Sequence, residues 1–337
     1  MSVWIVAFTL RGANLAAYLK RTLPGARAFS MAKYAAQAGT EPVERLADWR
    51  RMAWEQAEGL VFVGAAGIAV RSIAPLLRSK TTDPAVVVVD EAGQFAISLV
   101  SGHMGGANEL ARQVASCLDA TPVVTTATDV NGKFAVDVFA VKNGLAIGSM
   151  RRAKEISAAI LAGRPVGIHT AYSLEGEVPP ELTPGQVQEE NVEIGFRARY
   201  PGSLLLIPRQ VYLGLGCRRG TTVQAIAHGV EAALSAHGIP RCAVVGAASI
   251  DLKACEPGLL TWAREARLPL TFYTAEALRR AQGEFSSSEF VKSVTGTDNV
   301  CERAAVLAAG GGRILVKKQA ANGVTVAAAE KEMRIVL

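Results

Sequence analysis

The residue types best suited to chemistry gather in Ser101-Gly-His-Met-Gly-Gly-Ala-Asn-Glu-Leu-Ala111. Before this stretch Phe95, Ile97 and Leu99 alternate as in a strand. After it Ala107, Leu110, Ala111, Val114, Ala115 and Leu118 form one stripe at helical spacing. The turn therefore opens a helix, and the backbone N–H groups around Gly102, Gly105 and Gly106 are expected to face an anion. His103 stands among them. An imidazole beside an oxyanion site suits general acid–base work near neutral pH. Glu109, one turn into the helix, is the expected carboxylate partner, although the helix dipole alone favours an acid there. The plainer reading of His103 is a surface ring bonded to a nearby carbonyl.

Two more glycine turns open helices, Gly64 to Gly67 and Gly214 to Gly220. Neither is followed by the GK[ST] of a phosphate-binding loop, and Gly214, Gly216 and Gly220 miss the dinucleotide pattern by one residue. No acidic residue closes a strand about twenty positions on, so a nicotinamide-dependent oxidoreductase has thin support. Arg218 and Arg219 sit at a helix start, where the dipole disfavours cations. Guanidinium forks in that position match carboxylates or phosphates, unless they are simply solvated. Ser249, Asp251 and Lys253 follow a strand, at the edge where open α/β sheets bind ligands. Cys217 has no histidine near it in sequence and reads as a packed thiol. The four histidines share no metal-ligand spacing, so no metal site is expected.

The elements that must position these residues alternate strand and helix over nearly the whole 337 residues. The expected fold is α/β and multidomain, with mostly parallel sheets, helices on both faces, and a C-terminal α/β domain ending in a β-hairpin turned at Asn322-Gly323. Expected domains are residues 1–140, carrying the SGHMGGAN turn, a variable middle or linker region over 141–208, and 209–337 with the GLGCRRG turn. The "TTATDVNG" stretch reads as a strand end and polar turn, and 173–188, rich in Gly, Pro and Glu, as a loop or linker.

Composition narrows the class. Half of the residues are hydrophobic and 20% are charged, as in a well-packed globular protein. Five cysteines without a CxxC pair argue against a disulfide framework. No apolar run reaches membrane length and no leader is evident, so a soluble, cytoplasmic protein is expected, with no membrane partner. The net charge of +6 is modest, and no basic run interleaves with aromatics, which disfavours nucleic acid. Several anion-binding turns and no nucleotide motif would suit a large polyanionic ligand held between domains.

The residues also carry a family likeness. "LVFVGAAGIAVRSIAPLLRSKTTDPAVVVVDEAGQFAISLVSGHMGGANELA", with "TTATD" after it, resembles the N-terminal region of the cobalt-precorrin-5A hydrolases of anaerobic cobalamin biosynthesis, the CbiG family. "LGLGCRRGT", "SIDLK", "EPGLLTWA", "LPLTFYTAEAL" and "ILVKK…TVAAAE" resemble its C-terminal domain. The likeness is weakest from about Gly148 to Arg209. It implies an anionic cobalt-corrinoid substrate fringed with carboxylates, whose δ-lactone is opened by water with loss of acetaldehyde to give cobalt-precorrin-5B. It implies no cofactor, since the substrate carries the cobalt, and it leaves room for a homo-oligomer or transient contact with neighbouring pathway enzymes.

Chemical inference from that reaction makes His103 and Glu109 the catalytic candidates. Gly67, Arg71, Ser101, Gly102, Gly105, Gly106, Asn108 and Asp129 are expected to bind substrate from the N-terminal side. Gly216, Arg218, Arg219, Ser249, Asp251 and Lys253 are expected to do so from the C-terminal side. The rival is a non-catalytic corrinoid carrier in which His103 contacts the substrate or ligates its cobalt.

Overall fold

The computed structural model describes residues 1–79, 82–286 and 299–337. Lys80 and Thr81 of the family-like stretch lie outside the described residues. The chain divides into two compact units, Met1–Val138 and Phe139–Leu337. No helix among the described residues is long and apolar enough to cross a membrane.

The first unit runs β1 (Val3–Ala7), α1 (Leu10–Thr22), β2 (Ala26–Met31), α2 (Ala32–Ala38), β3 (Glu41–Val43), α3 (Leu46–Gln56), β4 (Gly59–Val63), α4 (Ala66–Ile73), β5 (Ala85–Val89), β6 (Phe95–Val100), α5 (Ala107–Leu118), β7 (Thr121–Val123) and α6 (Ala127–Val130). Helix α7 (Val136–Lys142) spans the boundary. Strands β1, β4 and β5 are buried along their whole length, as their unbroken apolar runs require. Val3, Ile5 and Ala7 face one core with α1 and α5, whereas Trp4 and Val6 face a second with α3. Helices therefore cover both faces.

The seven strands are ordered β3-β2-β1-β4-β5-β6-β7. Every neighbour pair is parallel except β5–β6. That reversal decides where the site lies. Val100 at the end of β6 pairs with Val86 at the start of β5. The loops leaving β6 and β7 thus sit at the edge where β1, β4 and β5 begin.

The second unit holds β8 (Leu145–Ile147), α8 (Met150–Leu161), β9 (Val166–Thr170), β10 (Ser173–Glu175), β11 (Leu182–Pro184), β12 (Glu190–Ile194), β13 (Leu204–Pro208), β14 (Val211–Cys217), α9 (Val223–His237), β15 (Val244–Ile250), α10 (Pro257–Glu265), β16 (Leu270–Tyr273), α11 (Ala275–Arg280), α12 (Cys301–Ala308), β17 (Arg313–Ala321), β18 (Val324–Glu330) and β19 (Arg334–Val336). One sheet is ordered β11-β9-β12-β13-β8 and another β16-β15-β14-β18-β17. Asn322 and Gly323 turn the β17–β18 hairpin with φ of 49° and 78°, as a two-residue loop requires.

Three local expectations change. The stretch 173–188 carries β10 and the edge strand β11, which pairs in parallel with β9. The "TTATDVNG" stretch contains α6. The chain does not end on its hairpin, because β19 goes on to pair with β10. In each case the segment is only three or four residues long, too short to show a periodicity.

Candidate active site

The turn after β6 is closed by its own backbone. The N–H of Gly106 donates to His103 O at 2.9 Å, Ala107 to Ser101 O at 3.0 Å, and Asn108 to Gly102 O at 3.0 Å. Loop carbonyls thus take the N–H groups of Gly106, Ala107 and Asn108, so the Gly106 donor, expected to face an anion, is committed to the loop. Gly105 keeps an N–H that meets no acceptor among the described residues. The fold of the loop explains its glycines. Gly106 has φ of 84°, and a Cβ on Gly105 would overlap Ser101. Ser101 itself sits at φ 59°, strained for a non-glycine residue, with its hydroxyl buried and meeting no partner among the described residues.

His103 lies between two carboxylates. Its Nε2 is 2.7 Å from Asp129 and its Nδ1 is 3.2 Å from Asp137, with Thr128 Oγ1 3.1 Å from Nε2. The ring is 14% exposed and the two carboxylates 19% and 13%. Asp129 is fixed from the other side by Arg112 Nη2 at 2.6 Å and Asn108 Nδ2 at 3.0 Å. Asn108, 4% exposed, also donates to Thr126 and accepts from Ser98, so it latches the loop to β6.

The electrostatics follow from this geometry. The bond to Asp137 raises the His103 pKa most, burial opposes it, and Asp129 adds to the rise. Burial works against ionised Asp129, but the bonds from Arg112 and His103 outweigh it and hold this carboxyl below its usual range. The two carboxylates therefore favour the protonated ring, and both of its nitrogens are engaged. In that form it can donate a proton and holds no lone pair for a metal.

Other candidates are placed differently. Glu109 has a side chain 64% exposed, accepts from Gln113 Nε2 and lies 3.8 Å from Arg112, so Asp129 and Asp137, not Glu109, orient the imidazole. Gly67 and Arg71 lie on α4, which follows β4 at the opposite edge of the sheet from His103. Five residues of strand at ~3.3 Å each put the two edges about 17 Å apart.

Gly216, Arg218, Arg219, Ser249, Asp251 and Lys253 do share one edge, following the ends of β14 and β15. Their availability differs. Ser249 is fully buried and donates to Leu215 O at 2.7 Å, and Lys253 pairs with Glu256 at 3.5 Å. Gly216 admits Thr325 of β18, whose hydroxyl a Cβ would strike. Arg218 and Arg219 are exposed and meet no carboxylate among the described residues. Burial pushes the Cys217 thiol up, which suits a packed thiol rather than a nucleophile.

Sequence reasoning missed Asp137, Arg112 and Thr128 as partners of the histidine. Arg112 had a readable signal, since Asn108 and Arg112 are four apart on one helix face and both reach Asp129. Asp137, 34 residues from His103, had none.

Family models described as cobalamin synthesis G N-terminal, cobalamin biosynthesis central region and cobalamin synthesis G C-terminus match residues 48–129, 134–206 and 211–329. A protein of Salmonella typhimurium named cobalt-precorrin-5A hydrolase is 36% identical over 83% of this chain and 84% of its own. One of the same name from Priestia megaterium is 31% identical over 94% and 92%. The crystal structure of a cobalamin biosynthesis protein G homologue from Sulfolobus solfataricus is 21% identical, covers 98% of this chain and 97% of that one, and superposes with a TM-score of 0.43. With two relatives above 30% identity over most of its length, the chain belongs to the CbiG family.

Proposed function

We propose that the protein is a cobalt-precorrin-5A hydrolase, acting in water on a carboxylate-fringed cobalt corrinoid. It opens the δ-lactone and releases the former meso carbon with its methyl group as acetaldehyde, leaving cobalt-precorrin-5B. Support comes from the names of relatives that align over most of the chain. The observation that carries the chemistry is an imidazole ring held between two carboxylates at a sheet edge.

The reaction needs a proton acceptor for the attacking water, a donor for the oxyanion, and a proton for the ring carbon as the aldehyde departs. Asp137 is the acceptor in this reading. Its bond to His103 is the longer of the two, and so the easier to open to substrate. His103 supplies the proton, while Asp129, held by Arg112 and Asn108, keeps the ring oriented. The Gly105 N–H is the oxyanion donor. Arg218 and Arg219, at the strand ends of the second unit, present exposed guanidiniums suited to carboxylates.

The test is single-turnover kinetics on anaerobically prepared cobalt-precorrin-5A. Replacing a general acid costs about 10²–10⁴ in rate, so His103→Ala is expected to lose that much. A loss below about tenfold rejects the role. The carrier alternative, in which His103 ligates cobalt, has no supporting observation, because both ring nitrogens are engaged by carboxylates.

A further inference from the structure

The second unit contains a cleft of about 1080 Å³, lined from Thr170, Ile194 and Arg197 on one side and Gly238, Arg313 and Lys331 on another. It opens at the carboxyl ends of β9 and β12, where a largely parallel sheet presents its loops. The volume exceeds the ~300–1,000 Å³ usual for small-molecule sites, so the occupant is large.

The charges of this cleft are unevenly spent. Glu193 accepts the backbone N–H groups of Arg199 at 2.8 Å and Tyr200 at 2.9 Å. Those bonds overcome the cost of burying it and hold its carboxyl below the usual range. Glu330 is taken by Arg313, Tyr172 and Gln210. Arg197, Arg199 and Lys331 are exposed and meet no carboxylate among the described residues. Glu193 thus folds the loop that presents two of these three cations. The Arg197 guanidinium lies across bare Gly238, where a Cβ would strike it, which aims it along the cleft. Aromatic surface adjoins them: His169 packs on Tyr200 with ring centroids 4.7 Å apart, and Tyr172 and Phe196 line the wall.

We propose that this cleft is a binding site for a polycarboxylate tetrapyrrole, gripped at its acid side chains by Arg197, Arg199 and Lys331. It is separate from the edge bearing Arg218 and Arg219. Arg313 and Glu330 lie at the β14 end that starts with Val211, whereas Arg218 follows the other end, Cys217. Seven residues of strand at ~3.3 Å separate those ends by about 23 Å. The class of occupant rests on the proposed function; the cation-lined cleft does not.

Uroporphyrin III, with its eight carboxylates and no lactone, is the probe, titrated into the whole protein by fluorescence. Replacing Arg197, Arg199 and Lys331 together by Ala is expected to weaken binding by about tenfold or more, with Tm unchanged because all three side chains are exposed. Arg151→Ala, removing a cation 82% exposed elsewhere in the unit, is expected to bind as the parent does. Equal affinity of the triple variant and parent, an equal loss in Arg151→Ala, or no binding by the parent overturns the proposal. Acetaldehyde release from cobalt-precorrin-5A is measured on the same samples. A tetrapyrrole lost with the three cations but no acetaldehyde from the parent leaves the cleft standing and removes the hydrolase reading. Acetaldehyde with unchanged porphyrin affinity in the triple variant does the reverse.

Discussion

Two carboxylates raise the pKa of His103, and the pH dependence of the protein follows from that arrangement. A histidine ordinarily titrates near about 6.5. Here the folded value is raised, so the stability this ring contributes is fully present below the unfolded value and is lost as pH rises through the folded one. Comparing Tm of the parent and His103→Gln should show the largest difference at about pH 6, shrinking toward alkaline pH. Turnover should fall on the same alkaline limb. Asp137→Asn should move the inflection of the Tm difference to lower pH, since Asp137 makes the largest contribution to the rise. Asp129 behaves in the opposite sense. Its lowered pKa contributes stability above the usual carboxylate range, lost as pH falls through the folded value. Asp129→Asn should cost about 1–3 kcal/mol in denaturant unfolding, because Arg112 and His103 each lose a charged acceptor. His103 could be picked out in the sequence as a catalytic candidate and Asp129 as a substrate contact. Their pairing could not, because nothing in spacing links a turn after one strand to a helix 26 residues on.

At the scale of elements, strands β1, β4, β5 and β6 and helix α5 were legible because their apolar patterns are long. The antiparallel turn of β6 against β5 was not, and it moves the His103 loop to the sheet edge away from Gly67 and Arg71. Two glycines of the loop are required by its backbone, Gly106 by a positive φ and Gly105 by its closeness to Ser101. Gly105→Ala would push Ser101 aside, since Cβ atoms cannot overlap, and should abolish turnover with only a small change in far-UV CD. Gly214→Ala tests a different element. Its Cβ would overlap the Cys301 carbonyl of α12, so it should destabilise the second unit enough to give little soluble protein on expression.

For the molecule as a whole, the sequence resemblance and the family matches describe the same chain, from residue 48 to residue 329. The expected C-terminal clamp is thinner than its residue types implied, because Ser249 and Lys253 are committed to internal partners and only Arg218 and Arg219 remain for a ligand. Removing both arginines should raise KM about tenfold or more and leave kcat near the parent value, the signature of lost uniform binding. The salt dependence of kcat/KM should weaken with them, because screening acts on exposed charges. The central claim is tested most directly by adding the purified protein to cobalt-precorrin-5A under anaerobic conditions and trapping the aldehyde. The account predicts acetaldehyde in step with substrate loss, absent without protein and strongly reduced with His103→Ala. A folded protein that binds the corrinoid and releases no acetaldehyde would contradict it.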